Sequence, residues 1–150
     1  MDRNSILSGY KSSFLTYSGS DARPTVNKVL KYSGNNFDIR RRGDIIREVV
    51  IFKLLSSTTQ YMIQDDKPEE VLQRFQANVF VEQSDSHSVR ESNYDRILEI
   101  VDQLFDWANA TDGSSITSDV LTITVTGSDS IEEDDGYLSV NVNFESIIQI

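Results

Sequence analysis

The side chains in this chain best placed to do chemistry are one histidine and a run of four acids. His87 is the only histidine and lies between Ser86 and Ser88, so a serine nucleophile served by a histidine base is the first arrangement to weigh. Adjacent residues rarely bring their functional atoms together, and no Gly-x-Ser-x-Gly elbow exists to expose such a serine. His87 therefore reads as a turn or cap residue. Glu132-Glu133-Asp134-Asp135 offers carboxylates of the kind that suit calcium or magnesium. It lacks the alternating Asp-x-Asp-x-Asp-Gly order and the distal glutamate of a calcium loop. A solvated hairpin tip that repels unwanted strand pairing accounts for it equally well. The absence of cysteine excludes disulfides, thiolate metal sites and thiol nucleophiles. Catalysis by paired carboxylates needs one of them held in an apolar setting. Asp102 and Asp106 stand four apart on a helical segment, opposite its apolar stripe, and read as solvated. No catalytic residue, cofactor or metal ligand is assigned.

Arg40-Arg41-Arg42 is the sharpest basic feature, with Phe37 close before it and Gly43 after it. Arginine suits phosphate, but the run is too short for a nucleic-acid module and no glycine-rich phosphate loop accompanies it. Its preferred reading is a contact with an acidic surface. The charge distribution points the same way. Residues 1–60 hold ten Lys/Arg against five Asp/Glu, a net of +5, whereas residues 61–150 hold four against nineteen, a net of −15. The total of −10 disfavours wrapping of nucleic acid or binding to an anionic membrane. The asymmetry suits a protein that meets copies of itself, basic surface against acidic, although two well-solvated halves would look the same. Trp107 is the third candidate contact. It falls with Ile100 on a second, narrower apolar stripe, as if the helix were covered on more than one side by polar loops or another subunit.

The elements that must position these residues follow from periodicity. The 150 residues fit one domain, with 38% hydrophobic and 25% charged residues, ordinary for a soluble globular chain. The longest apolar run, Val49-Val50-Ile51-Phe52, is far short of a membrane span, and the first residues lack a secretory signal core, which favours the cytoplasm. Ile6, Tyr10, Phe14 and Tyr17 step by four, four and three, giving a short helix over 5–17. Residues 18–44 are loop-rich, with Val26, Val29 and Leu30 fitting a brief helical turn. The stretch 45–55 fits either period; its β-branched and aromatic residues favour a strand. Residues 58–69 read as a polar loop.

Phe75, Ala77, Val79 and Val81 alternate with polar partners as a half-buried strand. Residues 84–88 make a turn, and Ser88 with Glu91 forms a capping box. A helix over 89–109 follows, with Tyr94, Ile97, Leu98, Val101, Leu104, Phe105 and Ala108 at spacings of three and four and Asp112-Gly113 ending it. Leu121, Ile123 and Val125 mark another strand. Asp135-Gly136 supplies a tight turn, and Leu138, Val140, Val142 and Phe144 carry a long last strand over 137–148. The expected fold is α+β, a two-layer sandwich. Its antiparallel or mixed sheet of about four strands is covered by one long helix, with a further N-terminal helix.

The stretches FQANVFVEQSDSHSVRESNYDRILEIVDQLFDWA and SDVLTITVTGSDSIEEDDGYLSVNVNFESII resemble the tail terminator and tail completion proteins of long-tailed bacteriophages. The likeness lies in the order strand, polar turn, long helix, strand, acidic Asp-Asp-Gly turn and closing strand, and covers roughly residues 70–150. Residues 18–42 depart from the shortest members, as an insertion would. The resemblance implies a non-enzymatic virion protein, present in the host cytoplasm during assembly. Such proteins form a ring, usually of six copies, that caps the tail tube and meets the head–tail connector. DNA passes the lumen only as cargo, and no membrane is involved. On this reading Arg40, Arg41 and Arg42 form one subunit contact and Glu132, Glu133, Asp134 and Asp135 another, with left-over acids lining the lumen. Two further readings stay open: a cytoplasmic adaptor that presents the same hairpin and helix to a single partner, and a small metal-dependent hydrolase built on the acidic hairpin.

Overall fold

A computed structural model describes residues 2–32, 34, 47–62, 68–83, 87–134 and 136–150. Arg40–Arg42 and Asp135 lie outside them. Asp2 starts the first helix, α1 (Arg3–Ser20), by accepting hydrogen bonds from the N–H groups of Asn4 and Ser5. Ile6, Tyr10, Phe14 and Ser18 form its buried face. The helix outruns the expected 5–17 because Ser18 has a tertiary partner: its hydroxyl accepts from the Val26 N–H at 2.8 Å. The helical turn expected around Val26, Val29 and Leu30 is instead a strand, β1 (Val29–Lys31), parallel to β2 (Glu48–Met62). Val29 lies opposite Val50 and both are buried, so sheet pairing overrides the weak helical spacing.

The strand reading of 45–55 holds from Glu48 onward, with residues 45 and 46 outside the description. It continues well past Leu55. Thr58 and Thr59, read as loop, pair with Leu72 and Val71 of β3 (Pro68–Glu82). Both threonines are exposed, so backbone pairing carries this end of the hairpin and no apolar alternation betrays it.

The second helix, α2 (His87–Ala110), begins before Ser88, which sits inside the first turn and not at the cap; residues 84–86 lie outside the description. A 3₁₀ turn (Gly113–Ser115) follows, capped by the Asp112 carboxylate on the Ser114 N–H. Gly113 is required there, because a Cβ would stand 2.7 Å from the backbone carbonyl of Leu121. Three strands close the fold: β4 (Val120–Ser128), β5 (Glu132–Asp134) and β6 (Tyr137–Gln149). The expected tight turn lies between β5 and β6, with Gly136 at φ 86°.

Among the described residues six strands form one mixed sheet, where about four were expected. Its order is β1-β2-β3-β6-β4, and β5 also pairs with β6. Every neighbour pair except β1–β2 is antiparallel. Both helices lie on one face: α1 touches β1 and β2, while α2 touches β3, β6, β4 and α1. Among the described residues the architecture is thus α+β, with the N-terminal helix as well as the long one covering the sheet. Between the layers lies an aromatic cluster. Tyr10 stacks on Phe75 at 3.9 Å, Phe75 on Phe144 at 4.8 Å, and Trp107 meets Tyr10, Phe14, Phe52 and Phe144 edge-on.

Candidate functional surface

Trp107 is 0% exposed, enclosed by aromatic rings of its own chain, and donates its indole N–H to the Ser13 hydroxyl. That corrects its assignment as a partner contact. The face of α2 that sequence spacing ranks second, with Ile100 and Trp107, belongs to the core beside Ile97, Leu104 and Ala108. Half of the stronger-looking stripe turns outward: Tyr94 is 47% and Leu98 40% exposed, with Val101 and Phe105 partly buried. Apolar spacing alone does not distinguish two adjacent stripes. The signal that does is Gln103, a polar residue drawn into the buried side by bonds to the chain after α1.

Those bonds fix the first polar site. Gln103 donates to the Asp21 carboxylate at 3.2 Å and to the Pro24 carbonyl at 3.1 Å. Arg23 bridges Asp21 and Asp106. Arg96 joins Glu48 at 2.6 Å, pairs with Glu99 on its own helix, and donates to the Pro24 carbonyl. Bonding from Arg23 holds the Asp21 carboxyl below the usual carboxylate range, and the same pairing raises Arg23. Burial works against the Arg96 charge, but Glu48 and Glu99 outweigh it and the guanidinium is held above its usual value. Each cation here is matched by carboxylates, so the cluster ties residues 21–27 and 48 to α2, with the buried Gln103 Oε1 left without a hydrogen-bond partner among the described residues. Asp106 is exposed, as its solvated reading expects, and joins the cluster through Arg23.

The opposite face of the sheet carries an amide ladder. Asn78 donates to Gln76 and Asn141, Gln76 donates to Asn143, and Asn141 and Asn143 both donate to the Asp129 carboxylate. The ladder crosses β3 and β6 and ends on the Asp129 carboxylate just after β4, with the Arg74–Glu145 ion pair on the same face.

The acidic hairpin lies on the sheet border that β4 forms. Glu132 and Glu133 are exposed on β5, opposite Ser139 and Leu138 of β6. Asp134 is placed as the last residue of β5, and Asp135 lies outside the description. Arg40, Arg41 and Arg42 also lie outside it. His87 is the first residue of α2. Among the described residues no three His, Asp or Glu side chains gather closely enough to hold a metal ion, and no helix is long and apolar enough to cross a membrane. Two shallow clefts of about 300 and 330 Å³ flank the 3₁₀ turn. The first lies between the end of α2 and β4; the second, between α1 and the turn, is lined by Ser12, Ser13, Thr16 and Ser115. Compared with known proteins, the chain matches no family model and no curated sequence.

Proposed function

We propose that this chain is a structural protein of a bacteriophage neck, a tail terminator whose copies close into a ring, capping the tail tube and meeting the head connector. The observation that carries the reading is the exposed pair Glu132 and Glu133 on the sheet border, in a chain whose first 60 residues are net basic. A ring needs two different patches that meet at every subunit boundary. The acidic border supplies one, and Arg40, Arg41 and Arg42 supply charge of the opposite sign. The resemblance in element order supports the same assignment, with a ring of six as its finer form. Tail tube and connector proteins are then the partners, and DNA crosses the lumen without being bound.

Mass in solution tests this, by light scattering over a concentration series at two ionic strengths. The expected result is a closed oligomer near six chains, or growth towards it that weakens with salt. Reversing Arg40, Arg41 and Arg42 to glutamate should weaken assembly while leaving the monomer folded. A chain that stays monomeric in every condition, including with a tail tube protein added, refutes the ring and leaves the adaptor reading.

A further inference from the structure

We infer that the ring contact is an edge-to-edge continuation of the sandwich, in which β4 and the outer flank of α2 of one copy receive β1 and the outer flank of α1 of the next. This rests on the ring reading and gives it a surface. Three observations carry it.

First, β1 and β4 are the two ends of the described sheet, and neither has a second neighbour among the described residues. Residues 120–128 hold no charge and no proline, the two usual guards of an open edge. Two register shifts in β4 bend this edge but leave Thr122 to Val125 regular.

Second, the helices overhang those edges with apolar side chains. On α2, Gln103 and Arg96 face the segment after α1, so Tyr94 and Leu98 lie on the other flank, the side of the helix turned towards β4. On α1, Trp107 holds Ser13 on the α2 side, while Lys31 of β1 bonds Asn4 and Ser8 on the other. Lys11 and Leu15 share that outer flank, and Leu15 is 42% exposed.

Third, the flanks are opposite in charge. Lys11 and Arg3 are the only charged residues of α1, whereas α2 holds five acids against two arginines. Asp95 and Asp102 stand beside Tyr94 and Leu98, exposed and without an ion-pair partner among the described residues. Continuation therefore turns the basic flank that carries Lys11 and Leu15 towards the acidic flank that carries Asp102, Leu98, Asp95 and Tyr94. Strand direction agrees: β4 runs opposite to β1, so copies in the same orientation meet antiparallel. Two-fold pairing of β4 with itself is disfavoured, because it sets Asp119 against Asp129 twice and brings two acidic helices together.

The absence of cysteine permits a clean test. Full-length Leu98→Cys and Leu15→Cys are made separately, mixed, and oxidised gently. The expected product is the mixed Leu98–Leu15 disulfide dimer, identified by peptide mass. The doubly substituted chain should give a ladder of multimers. Exclusive formation of either homodimer overturns the proposal. A charge exchange gives the second arm. Asp102→Lys and Lys11→Asp each weaken assembly about tenfold, and the double variant restores it. If the wild type forms closed oligomers but no mixed disulfide appears and the exchange does not rescue, the ring stands and this surface is wrong. If neither oligomer nor cross-link forms, both readings fall.

Discussion

Tyr10 and Ser146 make a buried hydrogen bond of 2.8 Å between α1 and β6, and both residues are 0% exposed. Tyr10→Phe removes the donor and leaves the Ser146 hydroxyl short of a partner in the aromatic cluster, a cost of about 1.5 kcal/mol. Ser146→Ala does the converse at a similar cost. The double variant leaves neither group stranded, so it should cost about as much as one change alone, a coupling of about 1.5 kcal/mol. Trp107 is the single tryptophan and sits in the same cluster, so its fluorescence reports unfolding in urea. With a slope near 2 kcal/mol per molar, each single variant shifts the midpoint by about 0.75 M. The same bond has a pH signature. Burial pushes the Tyr10 hydroxyl up to about 12, with the Ser146 bond opposing it. The unfolded chain therefore loses that proton first, near pH 10. The stability linked to Tyr10 is complete below pH 10 and is lost as pH rises towards 12, by at most about 1.4 kcal/mol per pH unit. The advantage of wild type over Tyr10→Phe must shrink across that window. Costs that add to within about 0.3 kcal/mol, or an advantage constant between pH 9 and 12, would refute the reasoning.

Arg96→Met leaves Glu48, a carboxylate only 13% exposed, without its cation, and should cost about 2–3 kcal/mol in thermal melts; adding Glu48→Gln should recover part of that loss. Trp107→Ala empties the middle of the aromatic cluster and should cost about 3–5 kcal/mol by circular dichroism in denaturant. Gly113→Ala forces a methyl group against the Leu121 carbonyl and should cost about 1–3 kcal/mol, whereas Gly19→Ala, with open space around it, should not destabilise.

The elements legible in the sequence are those whose burial follows a single period. The strand from Phe75 to Val81, the long helix and the last strand all bury alternate or every third-to-fourth residue. What escaped was held by partners distant in sequence. β1 forms because β2 lies alongside it, and the hairpin end at Thr58 and Thr59 forms by backbone pairing between exposed polar residues. On α2 the choice between stripes depended on bonds from Gln103 and Arg96 to a segment over 70 residues earlier. At β4 the register shift between Val120 and Thr122 leaves Leu121 exposed, although strict alternation groups it with Ile123 and Val125. The acidic run reads from sequence as a hairpin tip, whereas Glu132–Asp134 form a short strand paired with β6; three residues carry no periodic signal.

The central place of β6 bears on synthesis. It pairs with β3 along one border and with β4 and β5 along the other, yet it follows all of them in chain order. While a ribosome is still short of Ile148, β3 has an open border, and the aromatic cluster lacks Phe144 and its shielding from water. The two layers can lock only after residue 149 has emerged, so the fold is completed in one late, long-range step. Until then β3 exposes a strand border to its neighbours on the same polysome, where many copies are made together. A nascent chain halted a few residues early should remain sensitive to protease along its whole length.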